Sequence, residues 1–357
     1  MGITSTVSLA NDTAIAPDLV TAVVIRAPMQ FALEQVSLVP LGAADVFVRT
    51  IVTSISRGTE KMIVSGALPP GSPFTFPLVP GYETVGVVAA VGPEADAALL
   101  GTVVYIGGGF CYREVNAALG GQSSGLIVPA ARVLPLGRIP IEAGVLLALL
   151  ATAVHAVGRV SAGYLAGKTV AVLGNGSLGR LLAAVVRREQ PGRLIVTETS
   201  PERYEAAHPD ADDALLITDG VTLPGGVDVL IDATGSMAAL GVAITSLKPG
   251  GDVIVAGYYQ RLDLDYMSLF FKEPRLHIAS QFSPPDLLTA RDLLAAGIVD
   301  PSRLLTHHFA FTDIEAAYAA AFEDPTCVKV VVHWGDDDLN RDERVVRSTA
   351  TEGGSIR

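Results

Sequence analysis

Apolar and polar positions alternate in short runs over the first third of the chain and regroup into longer, evenly spaced blocks after about residue 140. Ala22-Val23-Val24-Ile25, Leu33-Glu34-Gln35-Val36 and Val46 to Val52 are β-branched segments bounded by Pro and Gly, which predicts short strands. Gly86 to Gly92 and Val103 to Ile106 continue that pattern. The Pro-rich stretch from Leu68 to Pro80 predicts a surface loop, because Pro cannot donate to a ladder. From Glu142 to Val160 the period becomes helical. Strand-like runs at 169–173, 194–197, 214–217, 227–232 and 252–256 then alternate with helical ones, the spacing of a parallel, doubly wound sheet. Helices at Asp286 to Ala296 and Asp313 to Ala321 and a strand from Val328 to His333 close the pattern. Residues 1–20 carry no sustained periodicity and predict a flexible segment. Residues 335–357, acidic and then Ser/Thr/Gly-rich, predict a disordered tail.

The first of the central strands, Thr169 to Leu173, runs directly into Gly174-Asn175-Gly176-Ser177-Leu178-Gly179 and then into a helical pattern from Arg180. In a G-x-G-x-x-G turn the first glycine permits the tight turn, the second lets backbone approach a pyrophosphate, and the third lets helix pack on strand. The helix N-terminus then faces the phosphates with unpaired N–H groups. The next strand ends at Glu198, followed by Thr199, where a carboxylate can accept hydrogen bonds from both adenosine ribose hydroxyls and repel a 2′-phosphate. Strand, turn, helix, strand and acid in this order predict a Rossmann domain that binds NAD rather than NADP.

Composition narrows the setting. The 357 residues are 50% hydrophobic and 17% charged, enough for two domains with a large core. A net charge of −12 argues against nucleic acid or an anionic membrane as partner. Two cysteines, Cys111 and Cys327, give no disulfide framework and suggest a reducing compartment. The longest apolar stretch, Ala143 to Val157, is interrupted by Thr152 and His155 and is too short for a transmembrane segment. With no secretion signal at the N-terminus, the sequence predicts a cytoplasmic protein.

The order of elements, together with Leu78-Val79-Pro80-Gly81-Tyr82-Glu83, the Gly174 turn, Val229 to Gly235 and Leu247-Lys248-Pro249-Gly250-Gly251, resembles the medium-chain dehydrogenase/reductase superfamily. The resemblance spans about Thr21 to Trp334. It implies an α/β fold with an N-terminal β-rich, GroES-like catalytic domain at 21–148 and 282–334, and a doubly wound parallel Rossmann domain at 149–281. It also implies a homodimer. Within the superfamily, Ser54 to Lys61, Gly81-Tyr82-Glu83, Cys111-Tyr112, Leu147 to Ala156, Leu305-Thr306-His307 and Cys327-Val328-Lys329 resemble the 3-hydroxyethyl bacteriochlorophyllide a dehydrogenase subfamily. The segment Asn116 to Gln122 departs from that subfamily's phenylalanine-containing loop.

Zinc-dependent relatives hold the metal with a Cys, the His of Gly-His-Glu, and a second Cys or a Glu. The resemblance places Ser56, Tyr82 and Ala148 at those positions, and a hydroxyl, a phenol and a methyl cannot make a tetrahedral N/S site. The structural zinc loop needs four cysteines, so no metal is expected at either position. A His307–His308 pair is disfavoured as a metal site, because neighbours on a strand point to opposite faces. Without zinc, the hydroxyl proton of an alcohol must leave through side chains. The candidates are Ser56, Thr59, Glu60, Tyr82 and Glu83, with Tyr82 nearest the reacting carbon. Glu83 also reads as a backbone brace, Glu60 and Lys61 as a solvated pair, and His155 as a structural histidine. For the cofactor, the resemblance places Arg57 and Lys329 against the pyrophosphate, Leu178 behind the nicotinamide and Thr152 beside it. Thr234-Gly235 and Ala256-Gly257 close the crevice.

These residues and the resemblance together predict an NAD-dependent, zinc-independent oxidation of the 3-(1-hydroxyethyl) group of a tetrapyrrole to 3-acetyl. Phe74, Phe76, Phe110, Tyr112, Tyr258 and Phe270 are aromatics that could face a flat macrocycle. Two alternatives stay open: a zinc-free quinone or enoyl reductase of the same fold, and a non-catalytic NAD(H)-binding protein.

Overall fold

The computed structural model describes residues 16–68, 71–205, 211–218 and 221–335. The N-terminal apolar runs become β1 (Leu19–Ala27), β2 (Gln30–Ser37) and β3 (Asp45–Ile55), then α1 (Thr59–Val64), β4 (Leu78–Val79) and β5 (Thr84–Val91). β6 (Val103–Ile106), β7 (Asn116–Ala117), β8 (Gly125–Pro129) and β9 (Leu134–Pro135) follow. β1 begins at Leu19, inside the segment that the sequence reads as flexible, and residues 1–15 of that segment lie outside the described residues. Nearly all of the tail, 336–357, lies outside them as well.

The helical run from Glu142 resolves into a 3-10 turn over Glu142–Leu146 and then α2 (Leu147–Val157). The tighter turn has a packing reason. A Cβ on Gly144 would lie 2.8 Å from both Leu136 and Val85, so the backbone is pressed against the catalytic sheet there.

The central alternation is β10 (Thr169–Leu173), α3 (Ser177–Arg188), β11 (Arg193–Glu198), α4 (Pro201–Glu205), β12 (Asp213–Leu216), β13 (Val227–Asp232), α5 (Met237–Ile244), β14 (Leu247–Val255), α6 (Tyr266–Lys272) and β15 (Arg275–Ile278). The six strands are parallel in the order β12-β11-β10-β13-β14-β15. Val170, Ala171 and Val172 of β10 are fully buried, which is why that strand reads as a continuous apolar run. The strand order reverses between β10 and β13, and an α/β sheet binds ligands at the carboxyl ends of its strands at such a point.

The chain then returns through α7 (Pro284–Ala295), β16 (Leu305–Ala310), α8 (Ile314–Glu323) and β17 (Lys329–His333). β17 pairs antiparallel with β3, and β3 with β5, in the sheet β16-β17-β3-β5-β6-β9, with β8 also on β3. One continuous core joins both halves: Val52, Val85 and Tyr105 of the first pack in the same cluster as α2, Val170, Leu181 and Ile254 of the second. No helix among the described residues is long and apolar enough to cross a membrane.

Candidate active site

β10 ends at Leu173 and the chain turns through Gly174 at φ +94°, a conformation that favours glycine. A Cβ on Gly179 would come within 1.8 Å of the Gly174 carbonyl oxygen, so the close return of α3 requires the third glycine. Gly176 differs, because a Cβ there would meet nothing within 4 Å. The protein's own atoms do not demand glycine at 176; the open space lies where a pyrophosphate would approach. No side chain caps α3 at Gly176, which leaves the first N–H groups of a 12-residue helix facing that space.

Glu198 stands at the end of β11 and is 6% exposed. Its Oε1 accepts the N–H groups of Thr199 (2.7 Å) and Ser200 (2.9 Å), and its Oε2 accepts that of Asn175 (3.1 Å). Arg203 on α4 forks onto both oxygens at 2.9 and 3.0 Å. Burial alone raises the carboxyl's pKa, but Arg203 and the Ser200 and Thr199 amides outweigh it and hold it at about 2. On the other wall, Asp232 at the end of β13 accepts from Thr234 N (3.1 Å) and Tyr259 Oη (2.7 Å), and its carbonyl accepts from Ala256 and Gly257 N–H. Thr234, Gly235, Ala256 and Gly257 are thereby gathered at one strand end.

Across the crevice, the loop before β5 presents Tyr82. Its Oη donates to Ser56 Oγ at 2.7 Å, and Thr59 hydrogen-bonds it as well. Burial, and then the Glu83 charge, push the phenol well above its usual pKa, so it is a neutral donor at physiological pH. Glu83, fully buried, accepts from Ser54 Oγ and ion-pairs with Lys329, itself 2% exposed. Glu60 is also fully buried, with Oε1 on Ser56 N (2.9 Å) and Oε2 on Tyr318 Oη (2.6 Å). Burial raises the Glu60 carboxyl to about 7; Glu83 adds to the rise, while Tyr318, Ser56 and Lys329 offset only part of it. Ser177 Oγ donates to the Val328 carbonyl, which ties the start of α3 to the residue before Lys329.

Residues 42–138 match the alcohol dehydrogenase GroES-like domain family. Over 325 residues the chain is 33% identical to the 2-desacetyl-2-hydroxyethyl bacteriochlorophyllide A dehydrogenase of Rhodobacter capsulatus, covering 88% of this chain and 98% of that protein. Its namesake from Cereibacter sphaeroides is 31% identical over 326 residues, with the same coverage. The chain belongs to the medium-chain dehydrogenase/reductase superfamily. It is an oxidoreductase of the alcohol dehydrogenase type. The structure of L-idonate 5-dehydrogenase from Escherichia coli superposes with a TM-score of 0.77 at 20% identity, covering 88% of this chain and 98% of that one, a likeness of fold.

Superfamily members that hold catalytic zinc need nitrogen and sulfur ligands in a tetrahedron. Here the three positions offer the Ser56 hydroxyl, the Tyr82 phenol and the Ala148 methyl, and the first two hydrogen-bond each other. That donor set does not fit the metal.

The structure brings Tyr82, Ser56, Thr59 and Glu83 together on one side, and Gly174 to Gly179, Glu198, Thr234, Gly235, Ala256 and Gly257 on the other. Leu178 and Tyr82 both pack, partly buried, against the large core cluster that spans the two halves. Thr199 contributes its backbone to Glu198, and Thr152 Oγ1 bonds back to the Ala148 carbonyl at 2.9 Å on α2. Two readings are corrected. Lys329 does not present its charge to a pyrophosphate, because its ammonium is sequestered with Glu83; exposed Arg57, bonded to the Phe322 carbonyl at 3.3 Å, is the open cation of the two. Glu60 is not solvated, because α1 folds it inward beneath Tyr318. Sequence reasoning missed Arg203, whose signal was a basic residue in the short helix that follows the Glu198 strand end. It also missed Gln122, whose amide bridges Thr53 Oγ1 (2.6 Å) and the Ser54 carbonyl (3.0 Å). His155 Nδ1 lies 3.0 Å from Asp286 Oδ2, which joins α2 to the start of α7.

Two predictions follow from burial. Lys329→Met leaves Glu83 as an uncompensated buried charge and lowers stability by about 3–5 kcal/mol in denaturant titrations, and adding Glu83→Gln restores much of the loss. Glu60 binds its proton more tightly folded (about 7) than unfolded (4.5), so its contribution to stability is full below pH 4.5 and is lost as pH rises to 7. Glu60→Gln therefore flattens the fall in Tm between pH 5 and 8, and parallel curves for wild type and variant would refute the assignment.

Proposed function

We propose that this protein catalyses an NAD-dependent, zinc-independent oxidation of a secondary alcohol: the 3-(1-hydroxyethyl) group of a bacteriochlorophyllide or chlorin precursor, converted to 3-acetyl in bacteriochlorophyll biosynthesis. The observation that carries this reading is the identity of about one residue in three, along nearly their whole length, with two proteins named for that dehydrogenation. Of the six aromatics considered for a flat macrocycle, Phe110 and Tyr258 keep open faces, while Phe270 is exposed but groups with Tyr266 and Phe271 on α6. Tyr112 is instead fixed by its hydroxyl to Gly120 and Ser123, and Phe74 and Phe76 pack on a core cluster.

Bound NAD supplies the hydride acceptor. Tyr82 holds the carbinol oxygen, and its high pKa makes it a hydrogen-bond partner and relay rather than a free phenolate base. As hydride leaves the carbinol carbon, the hydroxyl proton passes to the Tyr82 oxygen, the proton of Tyr82 passes to Ser56 Oγ, and the hydroxyl proton of Ser56 leaves to solvent water, so that both hydroxyls end neutral. Glu60, bonded to the Ser56 amide, brings a carboxyl that titrates near neutrality beside this pair. Glu198 stays ionised to take the ribose hydroxyls, and its charge, tempered by Arg203, favours NAD over NADP. Exposed Leu276 and Ile278 on edge strand β15, with Tyr266, Phe270 and Phe271 on α6, support a homodimer.

Anaerobic incubation with NAD and 3-hydroxyethyl bacteriochlorophyllide a is expected to give a pigment spectral shift with one NADH per pigment; no shift with NAD binding confirmed overturns the substrate. Tyr82→Phe lowers kcat by roughly 100- to 10,000-fold with NADH affinity unchanged. Gly176→Ala keeps the wild-type Tm but weakens NADH binding, as read by fluorescence titration. Equal affinity would remove the turn from the cofactor site.

A further inference from the structure

A second cluster of ligand-type side chains stands apart from the Tyr82 site. Glu142 opens the 3-10 turn that leads from the catalytic sheet into α2, His308 lies on edge strand β16, and His333 ends β17. In the parallel pairing of β16 with β17, His308 stands opposite Val331 and His333 opposite Ala310, so the two histidines are diagonal neighbours. His308 Nδ1 lies 3.2 Å from His333 Nε2, with the rings stacked at 5.5 Å. Glu142 Oε1 is 3.6 Å from His333 Nε2 and 3.9 Å from His308 Nδ1. A tetrahedral zinc ion with bonds of about 2.0–2.1 Å sets its ligand atoms roughly 3.3–3.4 Å apart, so these three atoms already approximate one face of such a tetrahedron. The cluster is the one set of three or more His, Cys, Asp or Glu side chains among the described residues with ligand atoms this close.

The ligand chemistry agrees. Two imidazole nitrogens facing each other can share one proton or one cation, and a carboxylate beside them supplies the charge a dication needs. His307 turns elsewhere, to Asp324 at 3.3 Å, so the sequence was right that the adjacent pair diverges. What the sequence could not show is that His308 finds its partner on the next strand.

We propose that Glu142, His308 and His333 bind one divalent transition-metal ion, zinc by ligand type, with solvent in the fourth position. The ion would clip the last two strands of the catalytic sheet to the turn that enters the Rossmann half. It is separate from the position where relatives hold catalytic zinc, and it takes no part in hydride transfer. Tag-free full-length protein, stripped with chelator, is dialysed against buffered zinc and its metal counted. One zinc per chain is expected in wild type and in the control His307→Ala. His308→Ala and His333→Ala each weaken affinity at least 100-fold, and Glu142→Gln about tenfold. Zinc raises the Tm of wild type but not of His308→Ala, and cobalt gives the visible bands of a tetrahedral site only where both histidines are present. Less than one zinc per wild-type chain, or unchanged affinity in His308→Ala, overturns the proposal. His308 is partly exposed on an edge strand, so that variant decides the matter even if His333→Ala fails to fold.

Discussion

The buried ion pair between Lys329 and Glu83 is the constraint on which the catalytic side of the crevice depends. Both ends are shut away from water, and the pair is joined by the Ser54 hydroxyl. These three residues lie on or beside β17, β3 and β5, so a segment more than 240 residues downstream is locked to the strands flanked by Ser56 and Tyr82. Taking two charges out of water costs several kcal/mol per ion, which the attraction recovers only with close geometry. Such a pair is therefore weak evidence for stability and better evidence for register. It fixes β17 against β3 and, through Val328 and Ser177, the start of α3 against both. The glycine turn and the phenol then keep a constant separation.

Electrostatics inside that frame explains why Glu60 titrates where it does. Among Glu60, Glu83, Lys329 and Tyr82 there are two carboxylates and one ammonium, all buried or nearly so. With Glu83 neutralised by Lys329, ionising Glu60 places a net negative charge in a low-dielectric region, and its carboxyl rises to about 7. The Glu198 carboxylate is the opposite case. It is also buried, but five hydrogen bonds from amides and a guanidinium hold it ionised. The two glutamates thus differ by several pKa units because burial dominates at Glu60, where the Tyr318 and Ser56 donors offset only part of it, whereas amides and a guanidinium outweigh burial at Glu198.

Much of the fold was legible because its signals are local. β10, α3 and β11 combine an apolar run, a glycine turn with one enforced left-handed residue, and an acid at a strand tip; both strands stand within a residue of their expected bounds, while α3 begins at Ser177, three residues before the expected Arg180. The closing strand was legible for the same reason. The site was less so, because its decisive contacts are long-range. Glu60 next to Lys61 reads as a surface pair until α1 turns it under Tyr318, 258 positions away in sequence. Lys329 reads as a phosphate-binding cation until its partner is seen to be Glu83. Gln122 lies in a stretch that looked only like a departure from the subfamily, yet its amide braces the backbone beside Ser54. Periodicity reports which face of an element is buried, not which partner it meets.

The same distinction separates the two places where a metal is relevant. At the crevice, Ser56 and Tyr82 hydrogen-bond each other, and the third position is a fully buried alanine, so no rotamer change creates an N/S tetrahedron. At the strand edge, the geometry is inverted: two imidazoles face each other with a carboxylate alongside. Metal affinity follows donor type and local charge rather than family position. One chain can therefore offer only hydroxyl groups at the crevice and still gather two imidazoles and a carboxylate at the seam where its two halves join.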